Sequence, residues 1–321
     1  MEPTLVVVTG PVPQPALDHL QAAGVQLRVG TADTLPVSEL HALVAGADAV
    51  LTLLTAKVDD AFLDAVGPQV RVVANVAVGY NNIDVAACTA RGVTVTNTPG
   101  VLTDATADIA LALILMATRR LGEGERLIRS GQPWQWGMLF HLGTGIQGRR
   151  LGIIGMGQIG LATARRAKAC GMTIAYSNRN RVDRAAEQEL DATYLSLDEL
   201  LATSDVVSVH CPSTPATHHL IDAARLAQMK PGAFLVNTAR GPIVDEAALV
   251  EALRSGTIAG AALDVFEHEP TVHPGLLELD NAVLVPHVGS ATLETRTAMA
   301  LLAADNALRV LGGQAPLTPV R

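Results

Sequence analysis

The sequence predicts an α/β protein of two lobes, each a parallel sheet covered by helices on both faces. Three observations carry that expectation. Apolar runs of strand length alternate with helix-like segments through both halves of the chain. Apolar residues make up 49% of the 321 positions and charged residues 17%, which is material for two substantial cores. The alternation breaks once, between Thr98 and Gly148, and then resumes.

Leu5–Thr9 reads as a buried strand and Ala16–Ala23 as a helix closed by Gly24. Val25–Val29 is the next strand, and Ser38–Ala45 a helix closed by Gly46. Ala49–Leu54 and Val70–Val76 are further strands; runs this apolar belong in a sheet buried on both faces. Thr98-Pro99-Gly100 stops the pattern. Thr103 is expected to cap a long helix, with Asp104 and Asp108 near its positive end and Arg119 and Arg120 near its negative end. Gly131–Gly148 is irregular and holds both tryptophans. A second βαβ series runs from Leu151 to about Pro286, and the tail Leu293–Leu311 has apolar residues at helical spacing.

The net charge of −8 gives no broad attraction to nucleic acid or anionic lipid, so neither partner is expected. Three cysteines, none in a CxxC pair, argue against a disulfide framework or a zinc site. No basic region followed by a long apolar stretch opens the chain, and Ile109–Ala117 is too short to span a bilayer. A cytoplasmic protein is the expectation.

Leu151–Ile154 runs into Gly155-Met156-Gly157-Gln158-Ile159-Gly160 and then a helix to Cys170. GxGxxG between strand and helix is a dinucleotide site: Gly155 allows the turn, Gly157 admits a pyrophosphate to the backbone, and Gly160 lets helix and strand pack closely. The helix N-terminus offers N–H groups and partial positive charge to the phosphates. At the end of the next strand, Thr173–Tyr176, NAD enzymes place a carboxylate for the ribose hydroxyls. Here the stretch reads Ser177-Asn178-Arg179-Asn180-Arg181, without a carboxylate. Guanidinium groups suit a 2′-phosphate, so NADP is favoured over NAD.

Three more apolar strands end in polar residues: Phe234–Asn237 before Arg240, Ala261–Leu263 before Asp264 and Glu269, and Val283–Val285 before His287. Together they offer an electrophile, an acid–base group and an orienting carboxylate at neighbouring strand ends, the set that carbonyl reduction needs. His268-Glu269-Pro270-Thr271-Val272-His273 mimics a zinc protease motif, but its histidines are five apart and Pro270 breaks the required helix, so no metal is expected there.

In order, Gly155–Gly160, Asn237–Gly241, Asp264–Pro270 and Pro286–Ser290 resemble the D-isomer-specific 2-hydroxyacid dehydrogenases, and the resemblance covers nearly the whole chain. Asn75–Asp84 resembles the family's substrate loop and Val101–Asp108 its interdomain helix. Asn178–Arg181 and Trp134–Trp136 are most similar to the NADPH-preferring glyoxylate/hydroxypyruvate reductases within it. The resemblance implies two Rossmann-like, doubly wound domains with the active site in the cleft between them. Residues 100–287 would be a dinucleotide-binding domain inserted into a substrate-binding domain of residues 1–99 and 288–321.

The implied reaction moves hydride from NADPH to a small 2-keto acid, glyoxylate or hydroxypyruvate, giving a D-2-hydroxy acid. His287 is then the acid that protonates the substrate oxygen, and Glu269 pairs with it and favours its imidazolium form. Arg240 binds the substrate carboxylate and polarises the carbonyl, the N–H groups of Val78 and Gly79 take the carboxylate's other side, and Leu54, with Leu53 and Thr55, lines the side-chain pocket. Toward the cofactor the resemblance implies Thr103, the run Gly155, Met156, Gly157, Gln158, Ile159 and Gly160, and then Asn178, Arg179 and Arg181. It adds the adenine-pocket residues His210, Cys211 and Pro212 with Thr217, the strand-end residues Thr238, Ala239 and Arg240, Asp264 on the nicotinamide carboxamide, and His287 and Gly289. A homodimer through the cofactor domain is implied, using the helix after Pro99, whose apolar run Ile109–Ala117 would otherwise be an exposed patch, and the loop after it. Phe140 and Met138 lie where some relatives place an aromatic that reaches the partner's site; Trp134, Trp136 and Phe140 are the candidates.

The sequence leaves the substrate's side chain open, since longer or phosphorylated 2-keto acids differ by groups worth only about 1–3 kcal/mol to a pocket. Formate dehydrogenases have Gln where this chain has Glu269, and phosphite dehydrogenases an acid at position 178, which weighs against both. Cofactor-sensing corepressor scaffolds keep the same triad, but neither their interaction tails nor the regulatory domain of longer phosphoglycerate dehydrogenases is expected here.

Overall fold

A computed structural model describes residues 4–320. The chain divides into two units, Met1–Leu102 with Ser290–Arg321, and Thr103–Gly289. The first holds five parallel strands, β1 Leu5–Val8, β2 Gln26–Val29, β3 Ala49–Thr52, β4 Val72–Asn75 and β5 Thr94–Thr96, in the order β2-β1-β3-β4-β5. β1, β3 and β4 are buried along their length because helices cover both faces. Leu40, Phe62 and Cys88 pack on one side; Leu20 and the alanines of the tail helix Leu293–Leu311 pack on the other. Short helices Asp60–Val66 and Val85–Ala90, not anticipated from periodicity, are each capped by an aspartate, Asp59 and Asp84.

The second unit holds seven parallel strands: β6 Arg150–Ile154, β7 Thr173–Ser177, β8 Thr193–Tyr194, β9 Val206–Val209, β10 Phe234–Asn237, β11 Gly260–Leu263 and β12 Ala282–Leu284. Their order is β12-β11-β10-β9-β6-β7-β8. The winding reverses between β6 and β9, and ligands bind at the carboxyl ends of the strands flanking such a switch.

Two expectations about the helix Thr103–Thr118 need correction. Thr103 lies in its first turn rather than ahead of it, and Asp104 and Asp108 pair with Arg166 at 3.0 and 2.6 Å as well as facing the helix dipole. Its apolar run is no exposed patch. Leu113, Ile114 and Ala117 are buried in the unit's own core with Ile153, Ala164 and Val236. Exposed apolar side chains gather instead on the next stretch, the helix Leu121–Arg129 and the irregular segment to Leu142. Among the described residues no helix is long and apolar enough to cross a membrane.

Candidate active site

The three glycines after β6 are each required for a different spatial reason. Gly155 has φ +93°, and a Cβ there would lie 2.5 Å from the Cys211 backbone N, so the loops after β6 and β9 touch at the switch point. A Cβ on Gly160 would lie 2.6 Å from the Gly155 carbonyl oxygen. A Cβ on Gly157 would meet nothing within 4 Å, so that side of the loop is open to a ligand. The following helix, Gln158–Ala169, has no side-chain N-cap, and its leading N–H groups suit a phosphate. These features fit a dinucleotide. Across the loop, His210 accepts or donates to Ser208 Oγ at 2.8 Å, and burial pulls its pKa down to about 4, so the ring is neutral at neutral pH. Burial raises the Cys211 thiol to about 11. Thr217 closes the loop beyond Pro212 by donating to the Pro212 carbonyl at 2.7 Å.

The end of β7 is more ordered than its sequence suggests. Asn178 Oδ1 accepts from the Met156 N–H at 2.7 Å, so this side chain braces the glycine loop. Arg181 donates to Glu187 at 3.2 Å and lies 5.1 Å over the Tyr194 ring, and the Tyr176 hydroxyl donates to the same carboxylate. Arg179 is exposed and, among the described residues, has no side-chain partner.

His287, Glu269 and Arg240, the expected catalytic set, come from the ends of the neighbouring strands β12, β11 and β10. His287, after β12, has φ +50°, a region that costs a non-glycine residue about 1–2 kcal/mol. Its N–H donates to the Asp264 carbonyl at 2.8 Å, while the Asp264 carboxylate accepts from Val288 N–H at 2.6 Å and Gly289 N–H at 2.8 Å. Asp264, buried after β11, thus shapes the loop that carries His287. Burial raises its carboxyl pKa against the pull of those two N–H groups. Glu269 Oε2 meets His287 Nδ1 at 2.8 Å, and Oε1 accepts from the Phe266 N–H at 2.9 Å. Burial works to raise the Glu269 pKa, but the His287 and Phe266 hydrogen bonds and the charges of His287 and Arg240 outweigh it and hold it below the ordinary carboxylate value. Arg240, after β10, is half-buried; burial lowers its pKa and Glu269 opposes that. Asn237 holds the turn, donating to the Arg240 carbonyl at 3.0 Å and accepting from Ala239 N–H at 3.0 Å. Thr238 Oγ1 sits 3.5 Å from His210 Nδ1.

In the first unit, the loop after β4 is fixed carbonyl by carbonyl. Ala77 O accepts from Thr98 N–H at 2.9 Å and Val78 O from Asn97 Nδ2 at 2.8 Å. In trans peptides the next N–H points the opposite way, so those of Val78 and Gly79 are set in direction. Leu54 is partly exposed after β3.

The model of the D-isomer specific 2-hydroxyacid dehydrogenase NAD-binding domain matches residues 111–289. The chain belongs to the D-isomer specific 2-hydroxyacid dehydrogenase family. It is 49% identical to a glyoxylate reductase of Thermococcus litoralis over 274 residues, 84% of this chain and 82% of the relative. A glyoxylate reductase from Paecilomyes thermophila superimposes with TM-score 0.89 at 36% identity, covering 100% of this chain and 99% of that one. An NADPH-dependent glyoxylate/hydroxypyruvate reductase from Sinorhizobium meliloti, solved with NADP and malonate, gives TM-score 0.84 at 36% identity, covering 99% and 97%. As a D-2-hydroxyacid dehydrogenase the chain is an oxidoreductase with an NAD(P)-binding domain acting on a small 2-keto acid.

Sequence reasoning about this dehydrogenase missed the bracing roles of Asn237 and Asp264 and the hold of Glu187 on Arg181. The Asn-to-Gly run after β10 contained a signal for the first: an amide at a strand end that can bond its own turn.

Proposed function

We propose that this dehydrogenase reduces glyoxylate, and hydroxypyruvate as a second substrate, with NADPH preferred over NADH. The observation that carries the reading is the 2.8 Å Glu269–His287 bond, within electrostatic reach of half-buried Arg240, in a chain whose relatives are named glyoxylate reductases. When bound, the nicotinamide cofactor supplies a hydride to the keto carbon. His287, with Nδ1 turned to Glu269, presents Nε2 to the substrate oxygen and gives it a proton, so C=O becomes CH–OH and the ring is left neutral. Arg240 binds the carboxylate and stabilises the charge building on the oxygen. The oriented N–H groups of Val78 and Gly79 are assigned the same carboxylate-binding role.

NADPH preference is supported by the β7 end, where Ser177–Arg181 contain no carboxylate, the nearby Glu187 is engaged by Arg181 and Tyr176, and exposed Arg179 has no side-chain partner among the described residues. A charged hydrogen bond is worth roughly 1.5–3 kcal/mol, reduced by solvent at an exposed arginine, so about tenfold in affinity is the expected effect. Wild type assayed on glyoxylate, hydroxypyruvate and pyruvate should show the highest kcat/KM on glyoxylate. Arg179→Ala should weaken NADPH binding about tenfold and leave NADH binding unchanged. Equal use of both cofactors by wild type, or an unchanged ratio in the variant, rejects the cofactor reading.

A further inference from the structure

Away from the catalytic set, the second unit draws together three residues that the sequence separates. His218 and His219 lie in the loop after β9, and Glu267 in the segment after β11. One nitrogen of each imidazole and one Glu267 oxygen lie within 4.8 Å of one another. The two rings stack with centroids 4.1 Å apart. His219 Nε2 is 2.7 Å from Glu267 Oε1, and its Nδ1 is 3.8 Å from Asp245 Oδ2. The backbone beneath is tied down: His219 N–H donates to the Pro242 carbonyl at 2.8 Å, and Glu267 N–H to buried Glu246 at 2.7 Å. His219 itself has φ +47°, which a non-glycine residue adopts only where its surroundings impose it.

We propose that His218, His219 and Glu267 form a binding site for a divalent transition ion of the zinc class. Two imidazoles and a carboxylate are a zinc donor set, whereas magnesium and calcium prefer oxygen ligands throughout. The ion takes the place of the proton shared by His219 and Glu267. Asp245 stands where a carboxylate orients a ligating imidazole through its other nitrogen. Zinc bonds of about 2.0–2.2 Å require donors roughly 3–3.5 Å apart. The His219–Glu267 edge opens slightly, and His218, whose side chain is exposed, supplies the closing movement by rotation. Water completes the shell on the open side. The ion clasps the loop after β9 to the segment that carries Glu269 two residues on, and takes no part in hydride transfer. His268 and His273, the pair in the false protease pattern, are not among its ligands.

The test is a titration of untagged, chelator-treated protein with zinc chloride by calorimetry, with melting curves at saturating zinc. Wild type should bind one ion per chain and melt at a higher temperature with zinc, because the ion binds the folded state. His218→Ala, which removes an exposed side chain and leaves the His219–Glu267 bond in place, should weaken binding at least tenfold and abolish the rise in Tm. Glu267→Gln should also weaken it, and affinity should fall as pH falls, since protons compete for the imidazoles. Magnesium should give no signal. Absence of binding to wild type, several equal weak sites, or undiminished binding to His218→Ala would each overturn the proposal.

Discussion

Glu269 is held ionised by the partners that make it useful, and this sets a pH dependence with a definite sign. Its pKa lies below the ordinary carboxylate value despite burial, because His287 and the Phe266 N–H bond the anion. The stability this contributes is therefore complete above the ordinary carboxylate range and is lost as pH falls through the lowered value. Glu269→Gln should reduce the fall of Tm with acid, because the amide has no such proton to take up; superimposable Tm–pH curves would rule out the lowered carboxylate. His287→Ala should lower kcat for reduction by about 10²–10⁴-fold while NADPH affinity, measured by fluorescence, stays near wild type. Arg240 and His287 stood out in the sequence because each lies three residues beyond an apolar strand, and Glu269 because it lies in the polar segment that leaves another. The commitment of Arg181 to Glu187 and Tyr194 did not, because a turn arginine can find several partners at similar distance along the chain.

The loops after β10 and β11 meet backbone to backbone. A Cβ on Gly241 would lie 1.9 Å from the Phe266 carbonyl carbon and oxygen and 2.3 Å from Glu267 N. Neither neighbour is a side chain that can swing away, so the segment bearing Glu269 would have to move. Gly241→Ala should cost about 1–3 kcal/mol or more, several degrees of Tm, and should lower kcat with it. Gly157→Ala is the complementary test. Its Cβ enters open space and its φ is −84°, so Tm should hold. If a pyrophosphate takes that space, binding of both NADPH and NADH should weaken together. Unchanged cofactor affinity in Gly157→Ala would contradict the placement, and a wild-type Tm in Gly241→Ala would contradict the close approach.

For the molecule as a unit of assembly, the apolar surface that asks for a partner is the segment beyond the helix Leu121–Arg129. Trp136, Met138 and Leu139 are 89%, 91% and 82% exposed. Trp134 and Phe140 stack on each other at 5.7 Å, which leaves Trp136 as the outward aromatic. Exposed apolar patches mark interaction sites, and two copies each of charge −8 repel unless apolar burial brings them together. We propose the homodimer that the resemblance implies; it should sediment as a dimer in wild type and as a monomer in a Trp136→Asp, Met138→Asp double variant. A monomeric wild type at micromolar concentration would remove the proposal.

Features decided within a few residues were readable in advance. The tail helix runs Leu293–Leu311 as its spacing indicated, and Gly155, Gly157 and Gly160 sit within one turn whose steric demands are local. The βαβ rhythm is likewise a property of neighbouring residues, since strand and helix periods come from backbone geometry. Contacts between distant positions followed a different logic. β6 lies beside β9 rather than β8, and only that order brings Gly155 against Cys211. The His219–Glu267 bond spans 48 positions, and the burial of Leu113 and Ile114 depends on which sheet the helix lies against. Periodicity identifies a buried face but not what covers it; the order in which the strands pair settles that, and pairing is a property of the folded chain as a whole.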